Sequence, residues 1–269
     1  MASDARIDTA GAALKGVLGD PAWLKKCALG ALINMIPYVG AVWVVGYGLH
    51  YQRAVALGGG AALPEWKHFE PQVKTGFYAI VVGLVYSLPL GVITGAVAVV
   101  AIAGALVGIA ATEELAWLLA AGAAGFAAFM FLSVLYGIVL WPVYAHVELH
   151  DTIGSGFEFA EILSRARANK TAFWTAARRA IVLGLLSTGI AVISMIVGFG
   201  LAALLAFDVL PEELLGLSSL VMTPIQLVFG VIVGLVSVPI AFASNRLWGQ
   251  YARIAYDLAP AEDATVAGA

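Results

Sequence analysis

Charge is scarce in this sequence. Asp, Glu, Lys and Arg make up 12% of its 269 residues, against about 25% in an average protein. The net charge of −3 gives a nucleic-acid partner no electrostatic support. Cysteine is nearly missing: Cys27 stands alone, which excludes an internal disulfide and a cysteine-based zinc site. The polar, Ala/Gly-rich first residues lack the basic start, apolar centre and small-residue cleavage site of a signal peptide, so the N-terminus is expected to be retained. There is no glycine-rich phosphate loop after a strand, no nucleophile elbow and no pair of carboxylates at one site. The expectation is a non-enzymatic protein with no catalytic residues and no cofactor.

What is abundant is apolar sequence. Hydrophobic residues are 62% of the chain and the mean hydropathy is +0.95. Five runs carry no charge: 27–49, 75–112, 115–145, 180–207 and 214–245. About 20 apolar residues suffice to cross a bilayer as a helix. The last four runs are long enough to span, and Thr75–Thr112 holds 38 residues without Asp, Glu, Lys, Arg or His. The sequence therefore predicts an all-α polytopic integral membrane bundle.

The basic residues set its orientation. The 14 Lys and Arg fall before residue 27, in the 50–75 and 148–179 connectors, and after residue 245. The two other connectors carry Glu113, Glu114, Asp208, Glu212 and Glu213. By the positive-inside rule the basic connectors and the C-terminus face the cytoplasm. The expected location is the cytoplasmic (inner) membrane of a bacterium or archaeon.

The first run leaves two alternatives. Ile36-Pro37-Tyr38-Val39-Gly40 breaks it into arms of about 15 Å, half a bilayer each. It is either a re-entrant hairpin or a kinked fifth span. Two connectors predict amphipathic helices on the cytoplasmic face. In one, Leu63, Trp66, Phe69 and Val73 recur every three or four positions after Pro64. In the other, 157–169, Phe159, Ile162, Leu163 and Ala166 share a face opposite a Glu161–Arg165 pair. Three regions follow: residues 1–20 as a polar tail or surface helix, 21–259 as one membrane domain, and 260–269 as a disordered tail.

Candidate functional residues gather at the cytoplasmic side. Trp66, Lys67, Phe69, Lys74, Arg165, Arg167, Lys170, Arg178 and Arg179 form the expected surface for a partner or anionic lipid, with Arg178 and Arg179 at a helix start. His146, Glu148 and His150 end the third run. His146 and His150 share a helical face, as metal ligands must, but Glu148 lies off it and no third ligand is evident. The bland reading, a polar helix end, is preferred, with no metal expected. Gly91/Gly95, Gly104/Gly108 and Gly230/Gly234 fit the small-residue spacing of close helix packing, within the bundle or in self-association.

The ordered set Asp20-Pro21-Ala22-Trp23-Leu24-Lys25-Lys26, Ile36-Pro37-Tyr38-Val39-Gly40, Gly46-Tyr47, Leu63-Pro64-Glu65-Trp66, Gly76 and Leu88-Pro89 resembles the domain of unknown function 4013 family of multi-pass membrane proteins. The resemblance implies a polytopic membrane protein with no established activity, and it supplies no catalytic residues. Two functions remain in view. One is a scaffold or accessory subunit that engages a protein partner or lipid through the cytoplasmic face. The other is a small-molecule or lipid transporter or channel.

Overall fold

The computed structural model describes residues 7–59, 62–112, 116–208 and 218–258. The turns and tail expected at 112–114, 208–213 and 260–269 lie wholly or largely outside them. Among the described residues the chain is all helix, with no strand. The helices are α1 (Ala10–Leu18), α2 (Trp23–Asn34), α3 (Val39–Ala56), α4 (Phe69–Thr112), α5 (Ala116–His150), α6 (Phe159–Ala168), α7 (Lys170–Asp208) and α8 (Ser218–Ala255), with a short 3₁₀ turn at Gly154–Phe157.

α4, α5, α7 and α8 have 44, 35, 39 and 38 residues, or about 52–66 Å at 1.5 Å per residue. Pro89 and Pro142 lie inside α4 and α5. Two segments of the described residues are long and apolar enough to cross a membrane, Lys170–Ser194 of α7 and Gly230–Ala255 of α8. α4 pairs with α5, and α7 with α8. Both pairs are antiparallel: Tyr136 on α5 donates to the carbonyl of Gly83 on α4 at 2.5 Å, and Phe173 on α7 packs against Trp248 and Tyr251 on α8.

The proline-broken first run folds as a helical hairpin and not as one continuous helix. Along α2, Gly30 approaches Val238, Ala31 approaches Gly234, and Met35 approaches Gly230. α2 is therefore antiparallel to α8. Along α3, Tyr47 meets Phe242, Gly48 meets Asn245, and Gln52 and Val55 meet Gly249. α3 is parallel to α8, so the two arms run back to the same end. Pro37 cannot continue α2. Val39 N donates to Pro37 O at 2.7 Å across Tyr38, whose φ of 62° and ψ of −62° make a γ-turn. Gly40 is required because a Cβ there would lie 1.9 Å from Ile33 O.

α3 is the centre of the bundle, lying between α4 and α8. Its contact with α4 is backbone to backbone. A Cβ on Gly46 would sit 1.7 Å from Gln72 O, and one on Gly76 would sit 1.9 Å from Val42 O. On the α8 side the seam is aromatic, with Tyr47, Tyr51, Phe242, Trp248 and Tyr251 all buried.

The segment before α4 corrects the sequence expectation. Residues 63–66 are not an amphipathic helix on a surface but a non-helical strap across α2 and α3, ending in a turn at 66–67. Leu63 is buried. Trp66 stacks on Tyr47 with ring centroids 3.8 Å apart and donates from Nε1 to Lys26 O at 3.0 Å. Asp20 and Lys26, both buried, clamp the strap. Asp20 Oδ2 accepts from Leu63 N at 2.8 Å and from Lys26 Nζ at 3.0 Å. Lys26 Nζ also donates to Leu63 O at 2.6 Å, and Tyr47 Oη donates to Pro64 O at 2.7 Å. A strap has no helical partners for its own peptide groups, and these side chains supply them. Burial opposes ionisation of Asp20, yet the donors at Ala22, Lys26 and Leu63 hold its carboxyl below the ordinary value.

The other expected connector helix is observed as α6, with Ile162 buried and Phe159 exposed. The polar N-terminal region contains α1, which packs on α8 through Ala13 and Val17.

Asp20→Ala leaves Lys26 buried beside only a partly exposed Glu65, at 3.5 Å. The expected loss is about 3–5 kcal/mol, the range for breaking a buried ion pair, read as thermal unfolding of the detergent-solubilised chain. Gly46→Ala is expected to cost at least about 1–3 kcal/mol by forcing α3 from α4. Gly91→Ala, with nothing within 4 Å, is expected to leave the melt unchanged or slightly raised.

Candidate functional site

Ionisable side chains among the described residues collect at one end of the bundle. α3, α5 and α8 finish there, and α4 and α7 begin there. Three arrangements occupy it.

The first is built on His146, fully buried at the end of α5. Its Nε2 lies 2.9 Å from Glu158 Oε2, and its Nδ1 pairs with the hydroxyl of Tyr256. A carboxylate can only accept, so Nε2 carries the proton and Nδ1 accepts from Tyr256. His150 does not converge with it on a common point. Its ring lies against that of His146, centroids 4.1 Å apart, and its Nδ1 is bonded to His146 O at 2.9 Å. The residues that could hold a cation are instead His146, Glu158 and Glu161, with ligand-type atoms within 4.8 Å of one another. Arg165 already neutralises Glu161 at 2.6 Å and lies 4.3 Å over the Tyr256 ring. A divalent ion would have to displace that guanidinium. As it stands, the cluster fastens α6 to α5 and α8.

The second arrangement faces the other way from α5. Glu148 is 2% exposed, and its Oε1 has no hydrogen-bond partner among the described residues. His50 Nε2 lies 3.9 Å from it, and Arg53 reaches the Glu148 carbonyl at 3.4 Å. Burial pushes the Glu148 carboxyl up to about 8, against the pull of Arg53. Burial moves His50 the opposite way, down, so it too favours its neutral form.

The third is a cavity of about 630 Å³ where the α6–α7 turn meets the segment before α1 and the end of α8. Arg167, Lys170 and Arg179 line it. Arg179 is fixed by donating from Nη1 to the carbonyls of Ile7 and Asp8. Asp8 itself is engaged by Arg246 at 2.8 Å and Gln250 at 2.7 Å.

The sequence-expected surface is thus divided. Arg167, Lys170 and Arg179 come together. Arg165 is paired with Glu161, and Lys74 with Asp151 at 2.8 Å. Arg178 is exposed outside the cavity and donates to Trp174 O. Lys67 and Phe69 are exposed near the strap, while Trp66 is half-buried and engaged in it. Gly230 and Gly234 face α2, whereas Gly91, Gly95 and Gly104 have open space above them. Gly108 lies outside the described surroundings. The sequence reading missed Glu158, Tyr256 and Asp8, which are brought in from other elements.

The family model described as protein of unknown function (DUF4013) matches residues 29–199. That stretch runs from within α2 to within α7 and exceeds half the chain. The chain belongs to this family. No curated protein and no solved structure matches it. The DUF4013 match takes in the hairpin tip, the strap and the α5–α6 cluster. Asp20 and Lys26, which clamp the strap, lie just ahead of it, and α8, which completes the core, lies beyond it.

Glu148 gives a pH dependence with a definite sign. Its folded value, about 8, lies above the ordinary 4.5, so the folded state holds the proton more tightly than the unfolded chain. Its contribution is fully present below about 4.5 and is lost as pH rises towards 8. Glu148→Gln is expected to raise the melting temperature at pH 8 and to change it little at pH 4.5. Melts of both chains across that range check this.

Proposed function

We propose that this DUF4013 protein is a polytopic membrane scaffold or accessory subunit, non-enzymatic, that engages a protein partner or lipid through its charged end. α4, α5, α7 and α8 cross the bilayer, the α2–α3 hairpin enters from one side to about half depth, and the charged end lies in the cytoplasm. The observation that carries this reading is the division of the surface. Away from the charged end the long helices expose bare aliphatic side chains: Leu88, Val92 and Val100 on α4 are 66–74% exposed, and Ile193 and Ile232 on α7 and α8 are about half exposed or more. Apolar area on that scale fits lipid and not water. Both arms of the α2–α3 hairpin pack on α8, and α3 also on α4, while its tip at 36–39 is exposed.

A transporter or channel is the second reading. It is favoured by the buried polar atoms of the α3–α8 seam, where both amide atoms of Gln52, Tyr51 Oη, Asn245 Oδ1 and Trp248 Nε1 lack partners among the described residues. The close approaches of Gly48 to Asn245 and of Gly249 to Gln52 weigh against an open path there.

The test starts from native membranes. The protein is expected to resist alkaline extraction and to expose the 148–179 connector to protease only from the cytoplasmic side. After mild solubilisation it is expected to bring down a stoichiometric protein companion or bound lipid. Solute flux through proteoliposomes holding the purified chain alone would overturn the scaffold reading. Protection of the 148–179 connector on the cytoplasmic side would overturn the topology.

A further inference from the structure

From the cavity at the start of α7 we infer a binding site for a phosphate-bearing anion, supplied as the headgroup of an anionic phospholipid at the membrane surface. The inference rests on the membrane reading above and names the ligand class for its charged end.

Four cations at this end are already neutralised. Lys26 is held by Asp20, Lys74 by Asp151, Arg165 by Glu161 and Arg246 by Asp8. Arg167 and Lys170 have no ion pair among the described residues, and both line the same cavity as Arg179. No carboxylate is among the cavity's described lining residues, which otherwise include Asn169, Thr171 and Thr175. Asp8, the nearest acid named, spends its carboxylate on Arg246 and Gln250. Arg179 is immobilised by two backbone carbonyls, so its charge is fixed before a ligand arrives. Two mobile cations and one fixed cation around about 630 Å³ suit a phosphate with its attached headgroup, and donors of this type bind phosphate oxygens strongly.

The position selects the source. Arg179 is the last charged residue before the apolar run 180–207. The exposed side chains Val182, Leu185 and Leu186 begin about 4.5 Å further along the helix axis. A phosphate in the cavity therefore lies at headgroup level, with acyl chains able to follow the outside of α7. Ile7 and Ile254 on the cavity wall offer apolar contact of the same kind.

The experiment is equilibrium binding to the detergent-purified full chain of three probes: short-chain phosphatidylglycerol, short-chain phosphatidylcholine and inorganic phosphate. Phosphatidylglycerol is expected to bind about tenfold or more tighter than phosphatidylcholine. Removal of both mobile cations in the Arg167→Ala/Lys170→Ala chain is expected to weaken it about 30-fold, from the usual contribution of a basic residue near an anionic surface. Arg178→Ala, one residue from Arg179 but outside the cavity, is expected to change affinity less than about twofold. The charge-keeping Arg167→Lys/Lys170→Arg chain is expected to retain most of the binding, which separates lost charge from lost fold. Equal affinity for the two lipids, or an equal loss in Arg178→Ala, overturns the site. Inorganic phosphate that displaces phosphatidylglycerol at comparable concentration overturns the lipid source in favour of a soluble phosphate. A chain that is membrane-integrated with the proposed topology yet shows no headgroup preference loses this inference alone.

Discussion

The buried Asp20–Lys26 pair is the constraint on which the rest of the bundle depends. The α2–α3 hairpin doubles back on itself, so its arms are fixed to each other from within the protein. Its arms are joined at one end by the turn at 35–38. At the other end they are tied by the strap that Asp20 and Lys26 grip and that Tyr47 and Trp66 cover. Desolvating a carboxylate and an ammonium is costly, and their attraction offsets that cost only when every remaining donor and acceptor is used. Here the remaining sites go to Leu63 N, Leu63 O and Ala22 N, which are backbone groups of the parts being joined. The ion pair thus also completes the hydrogen bonding of a chain segment that has no helix to provide it.

With the strap in place, α3 is pressed into the seam between α4 and α8, and packing there is governed by glycine. Gly46 and Gly76 bring two backbones together, Gly48 and Gly249 do the same for α8, and the aromatic residues fill what the glycines do not. The long helices then diverge in character along their length. Near the strap they are covered by neighbours, and further away they carry exposed aliphatic side chains. Such a molecule is tightly specified at one end and depends on its surroundings at the other.

Much of this was legible in the sequence, for identifiable reasons. Long charge-free runs encode long helices because nothing in them can end a helix except proline or glycine, and the Pro37 break was visible for the same cause. Much of the DUF4013 resemblance was carried by residues that the structure gathers around the strap: Asp20, Lys26, Gly46, Tyr47, Pro64, Trp66 and Gly76. The strap was misread because Leu63, Trp66, Phe69 and Val73 have helical spacing. Local periodicity lost to tertiary partners, since Asp20, Lys26 and Tyr47 offer the backbone of 63–65 better bonds than a short helix would. His146 and His150 were correctly placed on one helical face, but a shared face does not aim two ring nitrogens at one point. Their actual partners, Glu158 and Tyr256, arrive from separate elements, and the Tyr256 contact spans 110 positions. No spacing rule reaches that far.

Net charge conceals the electrostatics that matter. The chain as a whole is at −3, which argues against binding an anion. Yet five of its acids, Glu113, Glu114, Asp208, Glu212 and Glu213, stand in the two connectors that contain no base. At the charged end itself Lys26, Lys74, Arg165 and Arg246 are spent in pairs that fasten parts of the fold together. A pair that stabilises the fold removes a cation from the surface. What distinguishes Arg167, Lys170 and Arg179 among the cations that remain is that they line one cavity, so a ligand there meets three positive charges at once, whatever the net charge of the chain.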